Sequence, residues 1–175
     1  LVAMPLDERW LPFVSLQLTA MSATAFVGVG LYRLLGSIHG QRVGTLVGLG
    51  AVLATPVGFW ASIPKRHVFS ALAVVVVLAG FYAARDRDSP RLALASRTVP
   101  YIAVGLLAWF HALEALIVFA ALLPLDLLTA PSNRPRSLAV VALVFLVALG
   151  PFLATNYAIA GNPMEPPRLL DSIRK

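Results

Sequence analysis

The chain of 175 residues is 59% hydrophobic and 13% charged, with a mean hydropathy of +0.83 and a formal net charge of +6. A soluble domain carries about 45–50% apolar and about 25% charged residues, and one modest core cannot bury the surplus, so a soluble globular domain is excluded and the excess apolar surface must face lipid. The Arg and Lys residues lie in short pieces between apolar runs, which excludes nucleic acid as a partner, and the lack of Cys excludes disulfides, thiolate metal sites and cysteine nucleophiles.

A helix crosses a bilayer with about 20 apolar residues. Leu11 to Leu35 meets that length, and the polar stretch from Gly36 to Arg42 reads as a turn. Val43 to Ile63 is the second predicted span, ending in Trp60 at interface level. Pro64-Lys-Arg-His67 is a turn, Val68 to Ala84 a third span, and Arg85 to Arg97 the most polar loop. Thr98 to Leu128 would reach about 46 Å as one helix, well beyond a hydrocarbon core of about 30 Å. Its middle, Trp109-Phe-His-Ala-Leu-Glu114, holds the only His and Glu within an apolar segment. Ionisable groups at membrane depth face a protein interior or a watery cavity. Two short helices, 98–112 and 113–128, paired as a hairpin with His111 and Glu114 at the tip, satisfy both facts. Leu138 to Tyr157 is the last span, kinked near Pro151, before a Pro-rich polar exit.

The expected fold is all-α: a polytopic transmembrane helix bundle of about six membrane helices, forming a single transmembrane domain over residues 1–175. With Leu rather than Met first and no natural stop after Lys175, the chain reads as part of a longer membrane protein. If the N-terminus is outside, the hairpin puts Arg33, Arg42, Arg85, Arg87, Arg91, Arg97, Arg134 and Arg136 inside. Arg9, Lys65, Arg66, Arg168, Arg174 and Lys175 then lie outside. This excess of inside charge favours an N-outside orientation in the cytoplasmic membrane. The same orientation gathers residues 64–67, 111–114 and 158–175 on the extracytoplasmic face.

Four features carry candidate chemistry. Lys65, Arg66 and His67 form a basic turn suited to a phosphate at headgroup level, although a plain basic loop against lipid looks the same. His111 and Glu114, three apart, share a helix face and offer an acid–base pair, an orienting contact or a mutually satisfied polar pair. They are the weak catalytic candidates. A metal site needs at least one further ligand, and the nearest, His67, lies on another loop, so no metal is assigned to this chain. Gly36, Gly40, Gly44 and Gly48 recur every four residues, a spacing for close helix packing rather than a phosphate loop. Asp126, near the inner end of the hairpin, is expected to pair with a nearby Arg. Gly161-Asn-Pro163 and Pro166-Pro167 suggest an exit loop held in one shape.

The order of these motifs resembles the GT-C membrane glycosyltransferases, in particular their protein-mannosyltransferase-like branch. The similar blocks are Leu18-Thr-Ala through Leu31-Tyr-Arg-Leu34, then Ala54-Thr-Pro56 before Phe59-Trp-Ala-Ser62. They continue with Val104 through His111-Ala-Leu-Glu114 to Leu116, and end with Pro151 through Asn156-Tyr157 to Gly161-Asn-Pro163. The resemblance implies sugar transfer from a polyprenyl-phosphate-linked sugar, in contact with membrane lipid, to an acceptor on the outer face. Lys65, Arg66, His67 and Arg168 would bind the donor phosphate. The family's catalytic acid follows an earlier membrane helix that this chain lacks, and His111-Ala-Leu-Glu114 stands where a basic–Pro–acidic tip is usual. No cofactor is implied for this chain, and a divalent metal is an expectation for the full-length protein only. The alternative reading is non-enzymatic, a transporter segment or a scaffold subunit.

Overall fold

The computed structural model describes residues 10–62, 67–130 and 134–164, without the side chains of residues 60–62. Its described residues form eight helices and no strand. Five stretches are long and apolar enough to cross a membrane: Leu11–His39, His67–Arg85, Pro90–Phe110, Ala112–Thr129 and Pro135–Ala160. The chain is therefore all-α and polytopic. It divides into two compact units, Leu1–Ala79 and Gly80–Lys175.

In the first unit, α1 (Leu11–His39) extends past the predicted end at Leu35. The expected polar turn shrinks to one residue, Gly40, at φ +90. Side-chain-bearing residues rarely adopt a positive φ of this size, so Gly serves there at no conformational cost. Gly36 to His39 of the presumed turn stay helical instead, and the Ser37 hydroxyl donates to the Leu34 carbonyl at 2.8 Å. From Gly40 the chain doubles back as α2 (Gln41–Leu53), laid tightly along α1. A Cβ on Gly48 would come within 2.8 Å of the Gly28 carbonyl oxygen, and one on Gly44 would meet the Tyr32 carbonyl. Small residues permit this approach, and van der Waals contact drives it where lipid removes the hydrophobic contribution.

The second predicted span is interrupted. Helix α2 stops at Leu53 and α3 (Pro56–Ser62) resumes after Ala54 and Thr55. Pro56 has no N–H and its ring would clash with the preceding turn, so a straight helix cannot pass. The Thr55 hydroxyl donates to the Ala51 carbonyl and accepts from the Val57 N–H at 3.2 Å, supplying partners to the broken ladder. Helix α3 still follows α1, since Val57 packs on the buried Ala20, Ala23 and Val68 together with Phe69 and Leu72. The predicted span is thus replaced by two helices of 13 and 7 residues, neither of them long enough to cross a membrane alone. Val68 belongs to α4 (His67–Arg85), within which the boundary between the two units falls.

In the second unit, the polar loop is shorter than predicted. Only residues 86–89 separate α4 from α5 (Pro90–Phe110). Pro90 starts the helix because its missing N–H would be unpartnered at that position in any case. The chain breaks at His111 and returns as α6 (Ala112–Thr129). The hairpin exists, but its helices are 21 and 18 residues rather than two short pieces, and each is long enough to span. The boundary at 98 was misplaced because Arg91 and Arg97 looked like loop residues, whereas both are helical. After Arg134, α7 (Pro135–Ala148) runs parallel to α5. Arg97 meets Ser137 at one end, and a Cβ on Gly105 would touch Ala148 at 2.6 Å at the other. Leu149 divides α7 from α8 (Gly150–Ala160), two residues before Pro151, where the sequence suggested a kink.

The core of this unit joins three helices through aromatic rings. Phe119 of α6 stacks on Phe145 of α7 at 4.8 Å, and Tyr101 of α5 meets both edge-on at 6.4 Å. At the exit, the buried Asn156 donates to the Pro163 carbonyl at 3.1 Å. Gly161 takes φ +72, and the Asn162 side chain accepts from the Met164 N–H at 3.0 Å. These two bonds tie residues 162–164 to the helix end, while Pro166-Pro167 lie outside the described residues. Large side chains such as Leu46, Leu53, Leu128 and Val147 are exposed on the helix surfaces, as lipid-facing positions require.

Candidate functional site

The hairpin turn holds one pair of candidate residues. His111 leaves helical geometry at φ −155 and ψ 83, ending α5 and preceding α6. Its N–H donates to the Leu107 carbonyl at 2.7 Å, and its own carbonyl accepts from Ala115 at 3.0 Å, so the turn costs few backbone partners. Glu114 occupies the first turn of α6, where the positive end of the helix dipole favours a carboxylate. His111 Nε2 lies 3.5 Å from Glu114 Oε1, with both side chains part-exposed at 23% and 31%. The arrangement can bind a polar group and pass a proton.

A buried polar assembly lies near the other end of the hairpin. Asp126 is 2% exposed and Arg97 4%. Asp126 Oδ2 accepts from Arg97 Nε at 2.8 Å and from the Tyr101 hydroxyl at 2.9 Å. Its Oδ1 lies 3.5 Å from Arg85 Nη2. Arg97 also donates to Ser137 at 3.2 Å, which ties α7 to the pair. Arg85 donates from Nε to Thr129 Oγ1 at 3.0 Å and from Nη1 to the Phe81 carbonyl at 2.7 Å. Its guanidinium sits 3.4 Å above the Phe81 ring centroid. A carboxylate with two cations and a phenol around it is what membrane burial demands, since an isolated charge there is costly.

Asp126 thus has its expected Arg partners, and Arg97 is the closer. The sequence signal was the spacing of Arg97 and Tyr101, four apart and so on one helix face. It was hidden by the reading of residue 97 as the end of a loop.

Of the predicted site residues, His111 and Glu114 are brought together. His67 is the exposed first residue of α4 and belongs to the first unit, whereas His111 and Glu114 belong to the second. Lys65, Arg66 and Arg168 lie outside the described residues. Gly44 and Gly48 line the α1–α2 contact as their spacing suggested, while Gly40 forms the turn. Compared with protein-family models, curated proteins and solved structures, the chain matches none of them.

Proposed function

We propose that this chain is part of an integral membrane glycosyltransferase, which moves a sugar from a polyprenyl-phosphate donor to an acceptor on the extracytoplasmic face. The observation that carries this reading is the helix break at His111. It places the one His–Glu pair of the long apolar stretch at the turn between two spanning helices. The order of motifs along the chain supports it.

In this reading the acceptor hydroxyl oxygen attacks the anomeric carbon and gives its proton to a carboxylate outside this chain. The lipid phosphate departs with the bonding electrons. Lys65, Arg66, His67 and Arg168 hold that phosphate, whose charge grows as the bond breaks. His111 and Glu114, at the hairpin turn, orient the sugar. The chain sits in the cytoplasmic membrane with the N-terminus of this segment outside.

The test is transfer of labelled sugar from polyprenyl-phosphate donors by membranes containing the full-length protein. Glu114→Gln is expected to lower transfer by at least about tenfold, because misplacing a bound sugar slightly is costly, with the amount of membrane-inserted protein unchanged. Full activity in E114Q removes the pair from the site. No transfer by the wild type with any such donor favours a transporter segment or scaffold subunit instead.

A further inference from the structure

We propose that a cavity at the N-terminal ends of α5 and α7 is a phosphate-binding site, filled by an anionic phospholipid headgroup or by a soluble phosphate. The cavity measures about 380 Å³ and is lined by Arg87, Asp88, Pro90, Arg97, Arg134 and Ser137, among others. Three guanidinium groups and the Asp88 carboxylate line it, and Arg97 is also paired with Asp126 behind the lining, which leaves the site with one net positive charge. Arg guanidinium presents a planar fork of N–H donors that matches phosphate oxygens, so the lining chemistry selects this ligand over a neutral one.

The site is built rather than diffuse. A basic loop against a membrane keeps its charges in water, but Arg97 is 4% exposed and two turns inside α5. Asp126 and Ser137 hold its side chain from two sides, at 2.8 Å and 3.2 Å. A cation fixed in advance loses little freedom on binding. Arg87, in the segment between α4 and α5, and Arg134, at the start of α7, are exposed and stand at the rim. The parallel helices α5 and α7 both begin here, adding the positive ends of two helix dipoles.

Position separates this cavity from the proposed transfer site. With a rise of about 1.5 Å per residue, α5 puts roughly 30 Å between its start and His111, a full hydrocarbon thickness. The cavity therefore sits where spanning helices end, at headgroup level of the leaflet opposite the hairpin turn. Its occupancy is independent of the transferase reading.

The experiment uses the purified full-length protein in bilayers of phosphatidylcholine with phosphatidylglycerol. Native mass spectrometry counts the phosphatidylglycerol that stays bound. The pair R87A/R134A is expected to lower that affinity by about tenfold or more. The control R91A/R136A removes two exposed arginines of the same helices that do not line the cavity, and should change it by less than about twofold. The single R134A repeats the comparison if the pair does not fold. Displacement of the lipid by inorganic phosphate identifies a soluble phosphate as a ligand of the same cavity, whereas persistence of the lipid assigns the site to headgroups. Equal losses in R87A/R134A and R91A/R136A would show diffuse attraction and overturn the site. Unchanged binding in R87A/R134A would overturn it equally.

Discussion

The two units of this chain solve helix association in lipid by opposite means. In the first, α1 and α2 meet through Gly28, Gly44 and Gly48, and the buried core is built on Ala20, Ala23 and Val68. Its buried polar side chains carry no charge: Thr24 is buried whole and donates to the Ala20 carbonyl of its own helix, and only the tips of Gln17 and Ser70 are buried besides, among the described residues. In the second, Arg97, Asp126 and Asn156 are all buried, and an ionic and aromatic cluster ties α5, α6 and α7. Close backbone contact is short-ranged and gains a little from each atom pair. The ionic cluster concentrates its effect in a few groups, each costly to orphan. The first unit should therefore tolerate the loss of any one polar atom, and the second should not.

The largest effect is expected at Asp126. Asp126→Leu leaves Arg97 buried without its main counter-ion and should destabilise the second unit by about 3–5 kcal/mol, read as the fraction still folded after heating in detergent. Arg97→Leu in the same background should restore most of that loss, because an apolar pair of similar volume replaces the ion pair without a desolvation cost. A double variant as unstable as the single would mean that Tyr101 and Arg85, rather than the pair, hold the cluster.

A smaller effect is expected in the first unit. Gly44→Val puts side-chain atoms against the Tyr32 carbonyl and should cost about 1–3 kcal/mol by forcing α1 and α2 apart. The fraction still folded after heating in detergent reads that loss against the unsubstituted chain. The smallest is Gly40→Ala. A Cβ there meets no neighbouring atom, so the cost is the left-handed backbone alone, about 1 kcal/mol. A cost as large as that of Gly44→Val would show that the turn, rather than the close approach, sets the stability of this unit.

The sequence carried much of the architecture, and its errors have physical causes. The apolar runs located all five stretches long enough to cross, because bilayer thickness demands a minimum helix length, and added a sixth at 43–63 that the structure breaks in two. The break at His111 was legible because 31 apolar residues overrun the membrane and the only internal His and Glu stand at their middle. The interruption at Ala54–Thr55 went unread although Pro56 was visible, since hydropathy averages over a window and is blind to one missing N–H. Helix α5 was begun too late because Arg91 and Arg97 look alike in a sequence. One is exposed and the other is buried, and that distinction depends on the partners that α6 and α7 bring.

What the sequence determined by itself is the class of molecule: all-α, several times across a membrane, with a hairpin turned at His111. Those conclusions rest on length and polarity, which are local properties of the chain. Tertiary structure alone decided which charges are paired inside and which line a cavity. Asp126 is 29 residues from Arg97, and Arg97 is 40 from Ser137. Only the antiparallel return of α6 and the parallel run of α7 bring them to one point, because a charge in lipid is stable where distant segments supply its partners.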